Sequence, residues 1–245
     1  MANLLGIDIG GTGIKGAPAD TTSGELTAER LRILTPPGAK PHDVAKVVAE
    51  VVGHFDTTGP IGCTFPAVIQ HGVARTAANV DPSWIGTDAQ QLISQFTGRP
   101  TVVVNDADAA GIAEMQFGAG KGVKGTVLLL TLGTGIGSAL FVDRELVPNT
   151  ELGHMEVDGH EAEKRASEKV REDNDLSWEK WGKRLDEVLQ KYEALLCPDL
   201  MILGGGASKK FDKFSDHLHT RTQVVPAQLL NEAGIVGAAL AAAHT

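Results

Sequence analysis

The chain reads as an α/β protein, and three observations carry that reading. Short apolar or β-branched runs alternate with helical patterns along the sequence. Two related glycine turns, "GTGIKG" at 11–16 and "GTGIGS" at 133–138, each lie between two strand-like runs. The 245 residues, 42% apolar and 22% charged, suffice for a sizeable core in one domain or two small ones.

Residues 3–9 predict a buried strand. The first glycine turn follows, and a second strand starts at Ile14. Leu26 to Leu34 alternates loosely and predicts another strand, before Pro36-Pro37-Gly38 breaks the chain. Apolar positions 44, 47, 48, 51, 52 and 55 have the spacing of an amphipathic helix. Residues 61–69 predict a strand, and Gly72-Val73-Ala74 continues it as a hairpin. Residues 87–97 predict a short helix ended by Gly98. The β-branched run Thr101–Val104 delivers Asn105-Asp106 at its end, ahead of a helix of small residues from Ala107 to Met115. Strands at 126–131 and 136–142 flank the second glycine turn. Residues 158–175 are dense in charge and read as a solvated helix face. Trp181, Leu185, Val188, Leu189, Tyr192, Leu195 and Leu196 mark a long amphipathic helix. Leu200–Leu203 is a buried strand running into Gly204-Gly205-Gly206, and Glu232–Ala243 is an alanine-rich helix.

Composition excludes several classes. No apolar run approaches the roughly 18 residues of a membrane span, and the first residues lack the basic region of a signal peptide. Cys63 and Cys197 show no metal-ligand spacing and read as thiols of a reducing, cytoplasmic compartment. A net charge of −9 argues against nonspecific DNA binding, but it permits a polyanion in a local basic groove.

The first glycine turn matches the dinucleotide fingerprint as a string. That fingerprint needs a helix after the turn, and Gly16-Ala17-Pro18 breaks one. Ala139-Leu140-Phe141-Val142 after the second turn is again strand-like. Two readings stay open, a tight hairpin tip and a backbone cradle for phosphate. On the second, Thr12 and Thr134 add hydroxyl donors. Asp8 would repel phosphate unless a divalent cation such as Mg²⁺ lay between them, bound to Asp8 through water. Asp106 likewise has two readings, helix N-cap and general base. Glu163 reads as a surface carboxylate or a ligand for a hydroxyl, and His154 as a structural histidine or the same kind of ligand.

The segments "GIDIGGTGIKG" (6–16), "VNDADAAGIAE" (104–114), "LTLGTGIGSAL" (130–140), "ELGH" (151–154) and "NEAGIVGAA" (231–239) together resemble the sugar kinases of the ROK family. Within it, "GHMEVDGHEAEKRAS" resembles the polyphosphate glucokinase branch. The resemblance implies an actin-like ATPase, ribonuclease H-like fold, with two lobes around a central cleft that closes over the sugar. It divides the chain into a lobe of residues 1–106, completed by the helix at 232–245, and a lobe of residues 107–231.

It also implies glucose, with mannose as an alternative, phosphorylated by inorganic polyphosphate or ATP with Mg²⁺ and with Asp106 as base. Asn105, Glu151, His154, Glu163, Asn79 and Pro66 join Asp106 as sugar ligands. Asp8, Gly10, Gly11, Thr12, Lys15, Thr134, Gly135, Gly204, Gly205 and Gly206 face the donor. Lys121, Lys124, Lys209, Lys210 and Arg221 are candidates for a polyphosphate track. The family's cysteine-rich zinc loop is replaced here by "MEVDGHEAEKRAS", so no zinc is expected. A homodimer is expected. Two competitors follow from the same resemblance: a sugar-sensing regulator, which would need a DNA-binding segment before Gly6, and a non-catalytic filament protein, which would not need the sugar residues.

Overall fold

The structure is a computed structural model that describes residues 3–78 and 80–243. The chain divides into two compact units, Met1–Ala113 with Glu232–Thr245, and Glu114–Asn231. The division falls inside a helix rather than at the expected 106/107 junction.

Unit 1 opens with the predicted hairpin, β1 (Asn3–Ile9) and β2 (Ile14–Asp20), with the first glycine turn at its tip. The strand expected over 26–34 shrinks to β3 (Leu31–Ile33). Residues 27–30 and Leu34 are exposed, so that stretch has no apolar face to bury, and β3 is an edge strand. Helix α1 (Pro41–His54) starts on a proline and buries Val44, Val48, Val51 and Val52. Strand β4 (Ile61–Phe65) stops short of the expected residue 69 because Pro66 cannot donate to a ladder. Next comes the small hairpin β5 (Ile69–Gln70) and β6 (Val73–Ala74). Helix α2 (Ala89–Thr97) is capped by Asp88 and ended by left-handed Gly98. Strand β7 (Thr101–Asn105) then feeds α3 (Asp106–Phe117). The sheet order is β3-β2-β1-β4-β7, with β1, β4 and β7 parallel. Leu5, Ile7, Ile61, Phe65, Trp84 and Ile93 are fully or almost fully buried in its core.

Unit 2 repeats the plan. Strands β8 (Thr126–Leu132) and β9 (Ile136–Val142) flank the second glycine turn, and β10 (Glu145–Val147) lies on the edge. A short hairpin, β11 (Glu156–Val157) and β12 (His160–Glu161), leads into α4 (Ala162–Ala166) and α5 (Glu168–Asp173). The long amphipathic helix is α6 (Trp178–Leu196), capped by Ser177, which accepts the Lys180 N–H. Strands β13 (Leu200–Gly205) and β14 (Gln223–Pro226) are parallel to β8. The order β10-β9-β8-β13-β14 matches that of unit 1, a three-stranded antiparallel part followed by two parallel additions. Trp181, Leu185, Leu189, Tyr192, Leu130 and Met201 fill the core.

The chain ends with α7 (Ala233–Ala242), which packs on β1 and β4 of unit 1. Its alanines and the facing glycine let backbones touch: a Cβ on Gly62 would collide with the Ala238 carbonyl. Among the described residues no helix is long and apolar enough to cross a membrane.

Candidate active site

In unit 1 the register aligns Asp8 with Thr64 and Phe65 with Asn105. Asp8, Thr64, Pro66, Asn105 and Asp106 therefore gather at the C-terminal edge of three parallel strands. That edge is where open α/β sheets bind ligands, because loops and helix N-termini present unpaired polar groups there.

Asp8 is half-buried and held from two sides. Thr64 Oγ1 donates to its Oδ1 at 2.9 Å and accepts the Ile9 N–H at 3.2 Å. Lys15 Nζ lies 3.2 Å from Oδ2. Lys15 therefore neutralises Asp8 beside the turn. The turn itself is closed by Gly10 N–H to Gly13 O at 3.2 Å, and Thr35 Oγ1 donates to Gly10 O at 2.5 Å. Arg32 reaches Thr12 O at 3.4 Å. Gly11 and Thr12 are exposed at the tip.

The two readings of Asp106 separate at the β7–α3 junction. Asn105 is buried, and its Oδ1 accepts the N–H groups of Ala107 at 2.8 Å and Asp108 at 3.1 Å. Its Nδ2 donates to Ala67 O at 3.2 Å, just past Pro66. Asn105 thus caps α3 and ties it to the Ala67 carbonyl. Asp106 Oδ1 shares the Ala107 N–H at 2.9 Å, and the residue is exposed.

In unit 2 the second turn is closed by Gly133 N–H to Gly135 O at 3.1 Å, with Thr134 exposed. Lys169 N–H buttresses it from α5, donating to Gly133 O at 3.0 Å. Beside it, Gly204 and Gly205 extend β13 opposite Thr131 and Leu132. Gly205 has φ +81°, and a side chain there would strike the Leu132 backbone. Glu163 lies against Gly135 and Glu168 against Gly206. Burial is the main cause that raises the Glu168 carboxyl above its ordinary pKa; nearby Glu172 adds to the rise, and the accepted Ala207 N–H opposes it.

His154 is the hub of the remaining group. Its Nε2 lies 3.6 Å from Glu151, and its Nδ1 lies 3.7 Å from Glu161 and 3.9 Å from Glu163. The one-turn 3₁₀ segment Leu152–His154 is pinned twice. Ser138 Oγ accepts the Leu152 N–H at 3.1 Å, and Tyr192 OH donates to Leu152 O at 2.9 Å. Burial raises the Glu151 carboxyl, and the Glu163 charge adds to this while His154 opposes it. Glu161 is drawn down by Lys164, 2.6 Å away. One imidazole and several carboxylates can both accept from and orient a polyol.

Ligand atoms of His154, Glu161 and Glu163 lie within 4.8 Å of one another. Neither cysteine joins them: Cys63 is buried in unit 1 with its thiol pushed up to about 12, and Cys197 ends α6. A cysteine-ligated structural zinc does not fit this donor set. Asp8 suits Mg²⁺, which takes one or two carboxylates and keeps its waters.

Asn79 lies outside the described residues. Lys121, Lys124, Lys209, Lys210 and Arg221 are all exposed; Lys209 contacts Asn231 at 3.2 Å and Arg221 contacts Glu193 at 3.5 Å. Sequence reasoning missed Arg32, Thr35, Glu161, Glu168 and Tyr192 as site neighbours. Only Glu161 and Glu168 carried a signal, as carboxylates close to Glu163.

The ROK family profile matches residues 4–167. The chain is 54% identical over 238 residues to the "Polyphosphate glucokinase" of Mycobacterium tuberculosis (strain CDC 1551 / Oshkosh), covering 97% of this chain and 90% of that one. The solved inorganic polyphosphate/ATP-glucomannokinase from Arthrobacter sp. strain KM is 52% identical, with a TM-score of 0.95 over 100% of this chain and 99% of that one. A ROK glucokinase from Streptomyces griseus, solved with glucose and AMPPNP, shares the fold at 23% identity and a TM-score of 0.84 over 100% of both chains. The architecture is the actin-like ATPase, two-lobe α/β fold. With its paired glycine turns, its Asn105-Asp106 junction and its Glu151–His154 segment in place, the chain belongs to the ROK family.

Proposed function

We propose that this chain is a hexokinase-type phosphotransferase making glucose 6-phosphate from glucose, with inorganic polyphosphate as the phosphoryl donor. Identity above 50% to polyphosphate-using enzymes across nearly the whole chain supports the substrates. The observation that carries the chemistry is the β7–α3 junction. Asn105 takes up the cap, and the exposed Asp106 carboxylate beside it acts as the base towards a sugar hydroxyl.

Asp106 takes the hydroxyl proton as the sugar oxygen attacks the terminal phosphorus. A new P–O bond forms, the bridging P–O bond breaks, and polyphosphate leaves one unit shorter. Glu151, His154 and Glu163 of unit 2 and Asn105 of unit 1 serve as ligands for the other hydroxyls, and Asn79 and Pro66 are further sugar ligands in this reading. The backbone at Gly10–Thr12, Thr134–Gly135 and Gly204–Gly206, with Lys15, receives phosphate oxygens. Asp8 would hold Mg²⁺, through water, and the ion would supply charge neutralisation on the transferred phosphate.

ATP as a second donor and mannose as a second sugar are favoured by the Arthrobacter relative, whose name carries both. The reading includes a cytoplasmic homodimer without DNA binding. A coupled assay for glucose 6-phosphate with polyphosphate, ATP and GTP tests it. Turnover is expected with polyphosphate; no turnover with any donor on any hexose overturns it.

A further inference from the structure

Unit 2 carries a polar cavity that the sugar-kinase chemistry does not use. It has a volume of about 430 Å³ and is lined by His160, Lys164, Arg165, Arg184 and Glu187. Three cations and a histidine face one carboxylate, in a chain whose net charge is −9. Lys164 pairs with Glu161 at 2.6 Å, and Arg165 pairs with Glu187 and, at 3.3 Å, with Asp158. Asp158 is 72% exposed and Lys164 69% exposed. The Lys164–Glu161 and Arg165–Asp158 pairs, each with one well-exposed partner, are worth little and yield to a multivalent anion, whereas Arg165, 22% exposed, keeps Glu187 through two of its nitrogens. Arg184 and His160 have no ion pair among the described residues. Arginine presents a planar fork that matches phosphate oxygens, and clustered cations favour an anion with several charges.

We propose that this cavity is a phosphate-chain site, separate from the phosphoryl-transfer residues and centred on Arg184, Lys164 and Arg165. The anion displaces Glu161 from Lys164. Glu161 already lies 3.7 Å from His154 Nδ1, so its release shifts charge towards that ring. Occupancy of the cavity is thereby communicated to the Glu151–His154 segment within the same unit. Two sources supply this chemistry, free orthophosphate and a distal stretch of polyphosphate.

Calorimetric titration of the full chain with orthophosphate and, separately, tripolyphosphate tests the site on wild type, Arg184→Glu and Arg184→Lys. Histidine-ring NMR signals are followed in parallel. In wild type, tripolyphosphate is expected to show one binding event more than in Arg184→Glu, or the shared event is weakened about tenfold by that substitution. Arg184→Lys is expected to retain the event, and the anion-induced movement of the His154 signal is expected to vanish in Arg184→Glu. Tighter binding of tripolyphosphate identifies the chain as the source, and tighter binding of orthophosphate identifies the free ion. Unchanged titrations with both anions in Arg184→Glu overturn the proposal. If Arg184→Glu melts early, Arg184→Gln takes its place in the same comparison. Glucose phosphorylation that persists in the charge-reversed variant separates this site from the transferase reading, and that reading fails only if wild type turns over no donor.

Discussion

Asp106 and Asn105 are adjacent polar residues with different tasks, and the difference is set by which backbone N–H each reaches. Asn105 accepts two and is buried; Asp106 shares one and is exposed. Asp106→Asn keeps the shape and the shared bond but removes the carboxylate proposed as the base. The expected outcome is a loss of about 10²–10⁴-fold in kcat, with glucose affinity changed little, read by steady-state kinetics and direct sugar titration. Near-normal turnover would remove Asp106 from the chemistry. Glu193 is a purely structural counterpart. It accepts the Thr222 N–H at 2.6 Å and lies beside Arg221, and the Thr222 bond is the main cause that draws its carboxyl from 4.5 to about 2. Its folded-state pKa is lower than its unfolded one, so its contribution to stability is full above about 4.5. That contribution is lost as the pH falls towards 2. Glu193→Gln is expected to unfold more easily than wild type at pH 7, and the gap should close on acidification. Urea midpoints measured across that range check this.

At the scale of elements, the contact of α7 with β1 and β4 depends on missing side chains. The alanine-rich pattern predicts a helix but gives no hint that it touches a strand backbone to backbone. Gly62→Ala places a methyl against the Ala238 carbonyl, and overpacking of this kind costs about 1–3 kcal/mol. A lowered denaturation midpoint is expected; an unchanged one would mean that α7 shifts freely away from β4. The loose alternation over 26–34 shows the opposite limit of pattern reading. Period-2 spacing exists there, but Glu29 and Arg30 are exposed and Leu34 is 71% exposed, so nothing buried fixes a register. By contrast, the run Thr101–Val104 has β-branched side chains with a partner strand to pair with, and it forms β7 as its composition requires.

At the scale of the whole molecule, the two sheets share one order, and the two glycine turns sit at equivalent hairpins, between β1 and β2 and between β8 and β9. The repeat of "GTGI" in the sequence is the local trace of that shared plan. A ligand that binds only the folded chain stabilises it by mass action. Glucose at about 100 times its dissociation constant is therefore expected to add about 2.7 kcal/mol and raise the unfolding temperature. Thermal scans at increasing glucose check this, and a flat response at saturating sugar would contradict the sugar site. The same scans with a hexose that is not phosphorylated supply the baseline.

The sequence alone determined the alternation of strands and helices, both hairpin-tip glycine turns, the position of Asn105-Asp106 at a strand end, and the family. All of these are encoded by neighbours within a few residues, where backbone preference and side-chain period act directly. The tertiary structure alone decided that Thr64 holds Asp8, that Lys15 pairs with Asp8, that Asn105 rather than Asp106 caps α3, and that Tyr192 pins the Leu152–His154 segment. Thr64 and Asp8 are 56 residues apart, and Tyr192 and Leu152 are 40 apart. No spacing rule links such pairs, because strand register and helix packing bring them together, and those depend on how the buried faces of the whole unit fit.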